Sequence, residues 1–177
     1  MLFRSILIVA IEQGRWGPAR LPCALRSAGL SVAALCPKDN ALHATDHLDR
    51  RLEFPKTRSA KAMGRALADA LRAVSPRLVI PADEQVVALF HFFIRTKSRW
   101  LSADQRDLLT RSLGPEKRFD AMLMKSKTLS LARQLGVEVP RGDTIQSAVH
   151  AIDLASAIGY PVYVKRSFGW SGAGVVK

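Results

Sequence analysis

The sequence predicts an α/β fold, and three observations carry that expectation. Apolar runs at residues 5–11, 30–35 and 77–80 alternate with helical stretches near 18–28, 60–74 and 84–94. The first run is continuous and rich in Ile and Val, as a strand buried on both faces requires. Gly29, Pro37 and Pro81 stand where elements should stop. Strands alternating with helices in this way build a Rossmann-like parallel sheet covered by helices.

The elements follow in order. After the first strand comes the loop Glu12-Gln13-Gly14-Arg15-Trp16-Gly17, and Pro18 then opens a helix at a position where its missing N–H costs nothing. Gly29 closes that helix, residues 30–35 return as a strand, and the stretch up to residue 59 reads as irregular. Ala, Leu and Met recur at helical spacing over 60–74, a strand follows at 77–80, and 84–94 is an apolar helix.

From there, helices follow one another without intervening strands. Ser102-Ala103-Asp104-Gln105 is a capping box for a helix ending near Leu113, with Gly114 and Pro115 behind it. Residues 125–135 form a helix stopped by Gly136, and Val139-Pro140 starts an extended segment. Ser147 caps a helix through Ile158, Gly159 stops it, and residues 160–165 read as a buried strand. The change of pattern places a boundary at Gly114, giving a first domain of residues 1–114 and a shorter α+β unit of residues 115–177.

Composition narrows the function classes. Apolar residues make up 48% of the 177, which argues against disorder, and no apolar run reaches membrane-spanning length. Glu12 follows the first apolar run at once, without a cleavage site, which disfavours a secretory signal. Cys23 and Cys36 lack partners at metal-ligand spacing, so buried thiols in a reducing cytoplasm are expected. His43 and His47 lie four apart, but Ala44 stands where the metalloprotease motif needs glutamate, so a surface loop is expected there.

The formal charge of +12 admits a basic nucleic-acid-binding module, and a non-catalytic structural or regulatory fragment is a further alternative. The basic residues are nevertheless spread along the chain with few aromatics among them, which favours a solvated face.

The end of the chain carries the densest pattern. Lys165 closes a strand, and Gly169, Gly172 and Gly174 follow before apolar Val175-Val176. Glycines so spaced permit positive φ and bring main-chain N–H groups close to phosphate oxygens. No Gly-Lys-Ser/Thr follows, and the loop leads into a strand instead of a helix, so it is neither a Walker loop nor a dinucleotide turn.

Taken with Lys125-Ser126-Lys127-Thr128 at a helix start, Leu135-Gly136-Val137-Glu138-Val139-Pro140 and Gly159-Tyr160-Pro161, this loop resembles the opening of an ATP-grasp domain. The resemblance is specific from residue 124 onward, and the Rossmann-like part in front agrees with it. It implies a truncated ATP-grasp subdomain at the end of a fragment from an ATP-dependent carboxylate–amine or carboxylate–thiol ligase. Lys127 and Lys165 match the two nucleotide lysines of that family; Ser126 stands where it usually has Asp, and a serine can still cap the helix. Ser167, Gly169, Ser171, Gly172 and Gly174 would complete the ATP site.

The resemblance also implies ATP and Mg²⁺ as cofactors, with the metal ligands expected beyond residue 177 and the fragment inactive alone. The partners it implies are ATP and a small carboxylate; neither nucleic acid nor membrane is expected, and a homo-oligomer stays open. Because open parallel sheets bind ligands beyond the carboxyl ends of their strands, Gly14, Arg15, Trp16, Gly17, Asp83 and Glu84 are the candidates for the other substrate.

Overall fold

The computed structural model describes residues 5–12, 16–169 and 174–177. Two compact units make up the chain, Met1–Glu116 and Lys117–Lys177.

The first unit is built on a parallel sheet of β1 (Ser5–Val9), β2 (Ser31–Cys36), β3 (Arg50–Glu53) and β4 (Leu78–Pro81), in the order β3-β2-β1-β4. All five residues of β1 are buried, which is why that segment carries no polar alternation. Its neighbours lie in register on both sides, with Val9 opposite Leu35 and Pro81. Pro81 belongs to the strand instead of following it. The Val79 amide points off the outer edge to Ser112 Oγ at 3.0 Å, and Pro81, two residues on, would aim its missing N–H the same way.

The stretch expected to be irregular contains β3. Its sequence Arg50-Arg51-Leu52-Glu53 shows no apolar signal because it is an edge strand with charged, largely exposed side chains. Arg50 donates to the Ala73 carbonyl at 2.7 Å, and Arg51 donates to the carbonyls of His43 and Thr45 at 3.1 and 2.5 Å.

Helices cover this sheet. Pro18 opens a 3-10 turn, Pro18–Arg20, that runs into α1 (Leu21–Ser27), and Gly29 ends it at φ +77°. The second helix, α2 (Ala60–Val74), buries Gly64, Leu67, Ala68, Ala70 and Leu71. A Cβ on Gly64 would stand 3.0 Å from Trp100 Cβ and 3.3 Å from the Phe93 ring, so the bare backbone makes room for both aromatics. Next come α3 (Glu84–Arg95) and α4 (Ala103–Leu113); at the start of α4 both halves of the Ser102–Gln105 capping box form, at 3.0 and 3.2 Å. Ile6, Ile8, Val32, Ala34, Cys36, Leu42 and Leu48 fill the core on one face of the sheet.

The second unit contains α5 (Phe119–Leu123), which gave no local signal, then α6 (Lys125–Gln134), α7 (Ala148–Ile158), and an antiparallel pair β5 (Val164–Lys165) and β6 (Val175–Val176). The strand expected over 160–165 is therefore only two residues long, and it is exposed, not buried. A strand needs neighbours to bury its faces, and the only pairing among the described residues of this unit is Val164 with Val176 and Lys165 with Val175. Among the described residues of this unit, only Phe119 and Ala155 are buried.

Cys36 is buried as expected, but Cys23 is exposed on α1. Among the described residues, no helix is long and apolar enough to cross a membrane.

Candidate functional site

In the second unit the glycine loop is held against the start of α6. The first amides of a helix have no partner within it, and Met124, at the cap position, has no side-chain oxygen to offer them. The loop supplies one, since Lys125 N donates to the Ser167 carbonyl at 2.8 Å. Ser126, expected to cap this helix, instead places its hydroxyl 2.8 Å from that of Ser167. The Lys125 ammonium then donates to the Gly169 carbonyl. Two consecutive residues of α6 thus grip two residues of the loop.

Lys127 and Lys165 are exposed, and among the described residues neither ammonium has a hydrogen-bond or ion-pair partner. Both are available to an anionic ligand. Gly174 closes the loop at φ +76°, and its carbonyl accepts the Arg166 amide at 3.0 Å. A Cβ there would lie 2.6 Å from Arg166 Cδ, so only glycine lets the Arg166 side chain cross this backbone. Ser171 and Gly172 lie outside the described residues.

These residues suit a phosphate ligand in kind: ammonium groups without partners among the described residues, in a unit whose loop glycine at 174 takes a positive φ. For a metal ion the unit offers less, because among the described residues no three His, Cys, Asp or Glu side chains come together.

In the first unit the order β3-β2-β1-β4 reverses direction at β1, so the crevice beyond the carboxyl ends of β1 and β4 is the place where such sheets take ligands. Asp83 occupies it. One carboxylate oxygen accepts the amides of Ile11 at 2.7 Å and Glu12 at 3.0 Å, while the other accepts Val86 N at 2.9 Å and so caps α3. From the opposite side Asn40 donates to the Glu12 carbonyl at 2.6 Å and accepts the Leu42 amide at 2.9 Å. Glu84, the first residue of α3, is half-buried. Trp16 is 73% exposed and Gly17 is exposed, while Gly14 and Arg15 lie outside the described residues.

Sequence reasoning missed Lys125, Ser126 and Asn40. Nothing local marks them, because each acts on a chain segment remote in sequence; the serine was visible only as a cap.

No family model and no curated protein matches the chain. Solved structures do. The biotin carboxylase domain of Hydrogenobacter thermophilus 2-oxoglutarate carboxylase, solved with MgADP, ADP and bicarbonate, is similar to it over 99% of this chain, with a TM-score of 0.62 and 19% identity. An L-amino acid ligase from Bacillus licheniformis is similar over 94%, with a TM-score of 0.59 and 14% identity. A biotin carboxylase domain of a thermophilic 2-oxoglutarate carboxylase bound to bicarbonate follows over 93%, with a TM-score of 0.52 and 17% identity. These proteins are ATP-grasp ligases, and the fold of this chain is that of their N-terminal region. The chain spans just over a third of their length, 37%, 38% and 36% respectively.

Proposed function

We propose that this chain is the front part of an ATP-dependent ligase that joins a small carboxylate to an amine or thiol through an acylphosphate. The observation that carries the reading is the glycine loop, which follows Lys165 and whose residues Ser167 and Gly169 are held by Lys125 and Ser126 at the start of α6, in a chain whose fold follows ATP-grasp ligases almost from end to end. In that reading Lys127 and Lys165 neutralise nucleotide phosphates, and Ser167, Gly169, Ser171, Gly172 and Gly174 wrap them. Residues 1–114 form the pre-ATP-grasp domain and residues 115–177 the start of the nucleotide domain.

The reaction needs little covalent help from protein. A substrate carboxylate oxygen bonds to the γ-phosphorus while the bond to the β–γ bridging oxygen breaks and ADP leaves. An amine or thiol then attacks the acyl carbon, phosphate departs, and the nucleophile gives up its proton. The protein supplies charge neutralisation and alignment. Mg²⁺, when bound, would share the phosphate charge. In the same reading the second substrate sits beyond the carboxyl ends of β1 and β4, with Trp16, Gly17 and Glu84 as its candidate contacts and Asp83 shaping the turn; Gly14 and Arg15 are proposed with them on sequence alone.

Titration of the 177-residue chain with MgATP, followed by amide chemical shifts, tests the reading. Shifts at Lys127, Lys165, Ser167 and Gly169 that vanish in Lys165→Met support it. No shift at saturating nucleotide overturns it, as does a DNA duplex moving the same amides with a steep salt dependence.

A further inference from the structure

We propose that Lys125 is a positioning residue for the glycine loop and leaves phosphate contact to Lys127 and Lys165, an assignment that rests on the nucleotide reading above. The three lysines differ in surroundings. Lys125 is half-buried, with its ammonium on the Gly169 carbonyl and its amide on the Ser167 carbonyl at 2.8 Å. Ser126, also half-buried, adds the hydroxyl pair with Ser167 at 2.8 Å. Lys127 lies two residues on from Lys125, about 200° round the helix, and is exposed, as is Lys165 at the end of β5.

The division of labour follows from valence and entropy. An ammonium donating to a loop carbonyl has already spent part of its hydrogen-bonding capacity within the protein, whereas the other two have no partner among the described residues. Among the described residues β5 and β6 pair over two residues, a short ladder that reaches neither Ser167 nor Gly169. The contacts from Lys125 and Ser126 supply the missing constraint, so part of the ordering is done before a ligand arrives and need not be subtracted from its binding. The bonds also link residues 41 and 44 apart in sequence, which makes them tertiary contacts and not helix capping by a neighbour.

Hydrogen exchange at the residue 125 amide reads the tether without any ligand. In the unmodified chain that amide is protected; in Lys125→Met and in Ser126→Ala its protection should fall about tenfold, and Lys125→Arg should restore it. MgATP titration of the same variants reads the consequence. Positioning predicts weaker binding in both Lys125→Met and the uncharged change Ser126→Ala, by several-fold, with recovery in Lys125→Arg. A purely electrostatic role would move Lys125→Met alone and overturns the assignment. Protection unchanged in both variants overturns the tether, and lost protection with unchanged affinity overturns the positioning role. Absence of nucleotide binding in the unmodified chain overturns the ligase reading and the positioning role with it, while the exchange result still decides the tether.

Discussion

The Asp83 carboxylate accepts the Ile11 amide at 2.7 Å and, through the same oxygen, the Glu12 amide at 3.0 Å, which ties the end of β1 to the start of α3. Its other oxygen holds Val86 N. Asp83→Ala leaves three amides without their acceptor, and the expected loss is about 3 kcal/mol of folding stability. Asp83→Asn keeps one acceptor oxygen and should cost less than half of that. Urea denaturation followed by tryptophan fluorescence, to which the half-buried Trp100 contributes, measures both.

Asn40 grips the same turn from the other side, so its removal should show coupling. Asn40→Ala is expected to destabilise by about 2 kcal/mol. Because both side chains act on Glu12, the double variant with Asp83→Ala should lose less than the sum of the two, and a double-mutant cycle gives the difference. Strict additivity would show that the two clamps are independent.

The two thiols should differ in reactivity. Burial pushes the Cys36 thiol up to about 12, whereas Cys23 is exposed. Iodoacetamide at neutral pH should modify Cys23 alone in the native chain and both residues in urea. The same burial has a pH consequence. Above the ordinary thiol range the unfolded chain releases the Cys36 proton while the folded chain keeps it, so stability falls as pH rises towards 12, by at most about 1.4 kcal/mol per unit. Cys36→Ala should flatten that slope.

Gly174→Ala tests the loop without touching a charge. A side chain there meets both an unfavourable φ and the Arg166 stem, and a cost of about 1–2 kcal/mol confined to the second unit is expected. Hydrogen exchange at the Arg166 amide, which Gly174 accepts, is the local reporter. Under the ligase reading MgATP affinity falls with it.

The second unit should also bind a hydrophobic dye. Val149, Ile152, Tyr160, Tyr163 and Val176 are all more than half exposed, and exposed apolar side chains are what such a dye binds. Enhanced fluorescence of anilinonaphthalene sulfonate with the native chain is expected, and its loss when residues 117–177 are deleted would place the source.

Much of this fold was legible in the sequence because local signals and tertiary demands agree in the first unit. Ala60–Val74 is bounded by its own periodicity and Ser102–Gln105 by its own capping chemistry, so neither depends on knowing what lies nearby. Where demand is long-range, the sequence was silent or misleading. Arg50–Glu53 is a strand only because β2 lies beside it, and residues 160–163 look like a buried strand although no strand among the described residues pairs with them. The candidate site divides in the same way. Lys127 and Lys165 are candidates through their resemblance to a family pattern, while the contact from Lys125 joins residues 44 apart and has no local signature.

The bond from Val79 N to Ser112 Oγ reaches beyond the stability of α4. A parallel sheet with a bare outer strand invites a stranger's backbone to zip on. Here one face of that invitation is withdrawn twice over, by a hydroxyl that takes the Val79 amide and by the proline at 81 that has none to offer. On the β4 side, then, Val79 and Pro81 offer an incoming strand no amide, and on the far side the charged residues of β3 do the same work by repulsion.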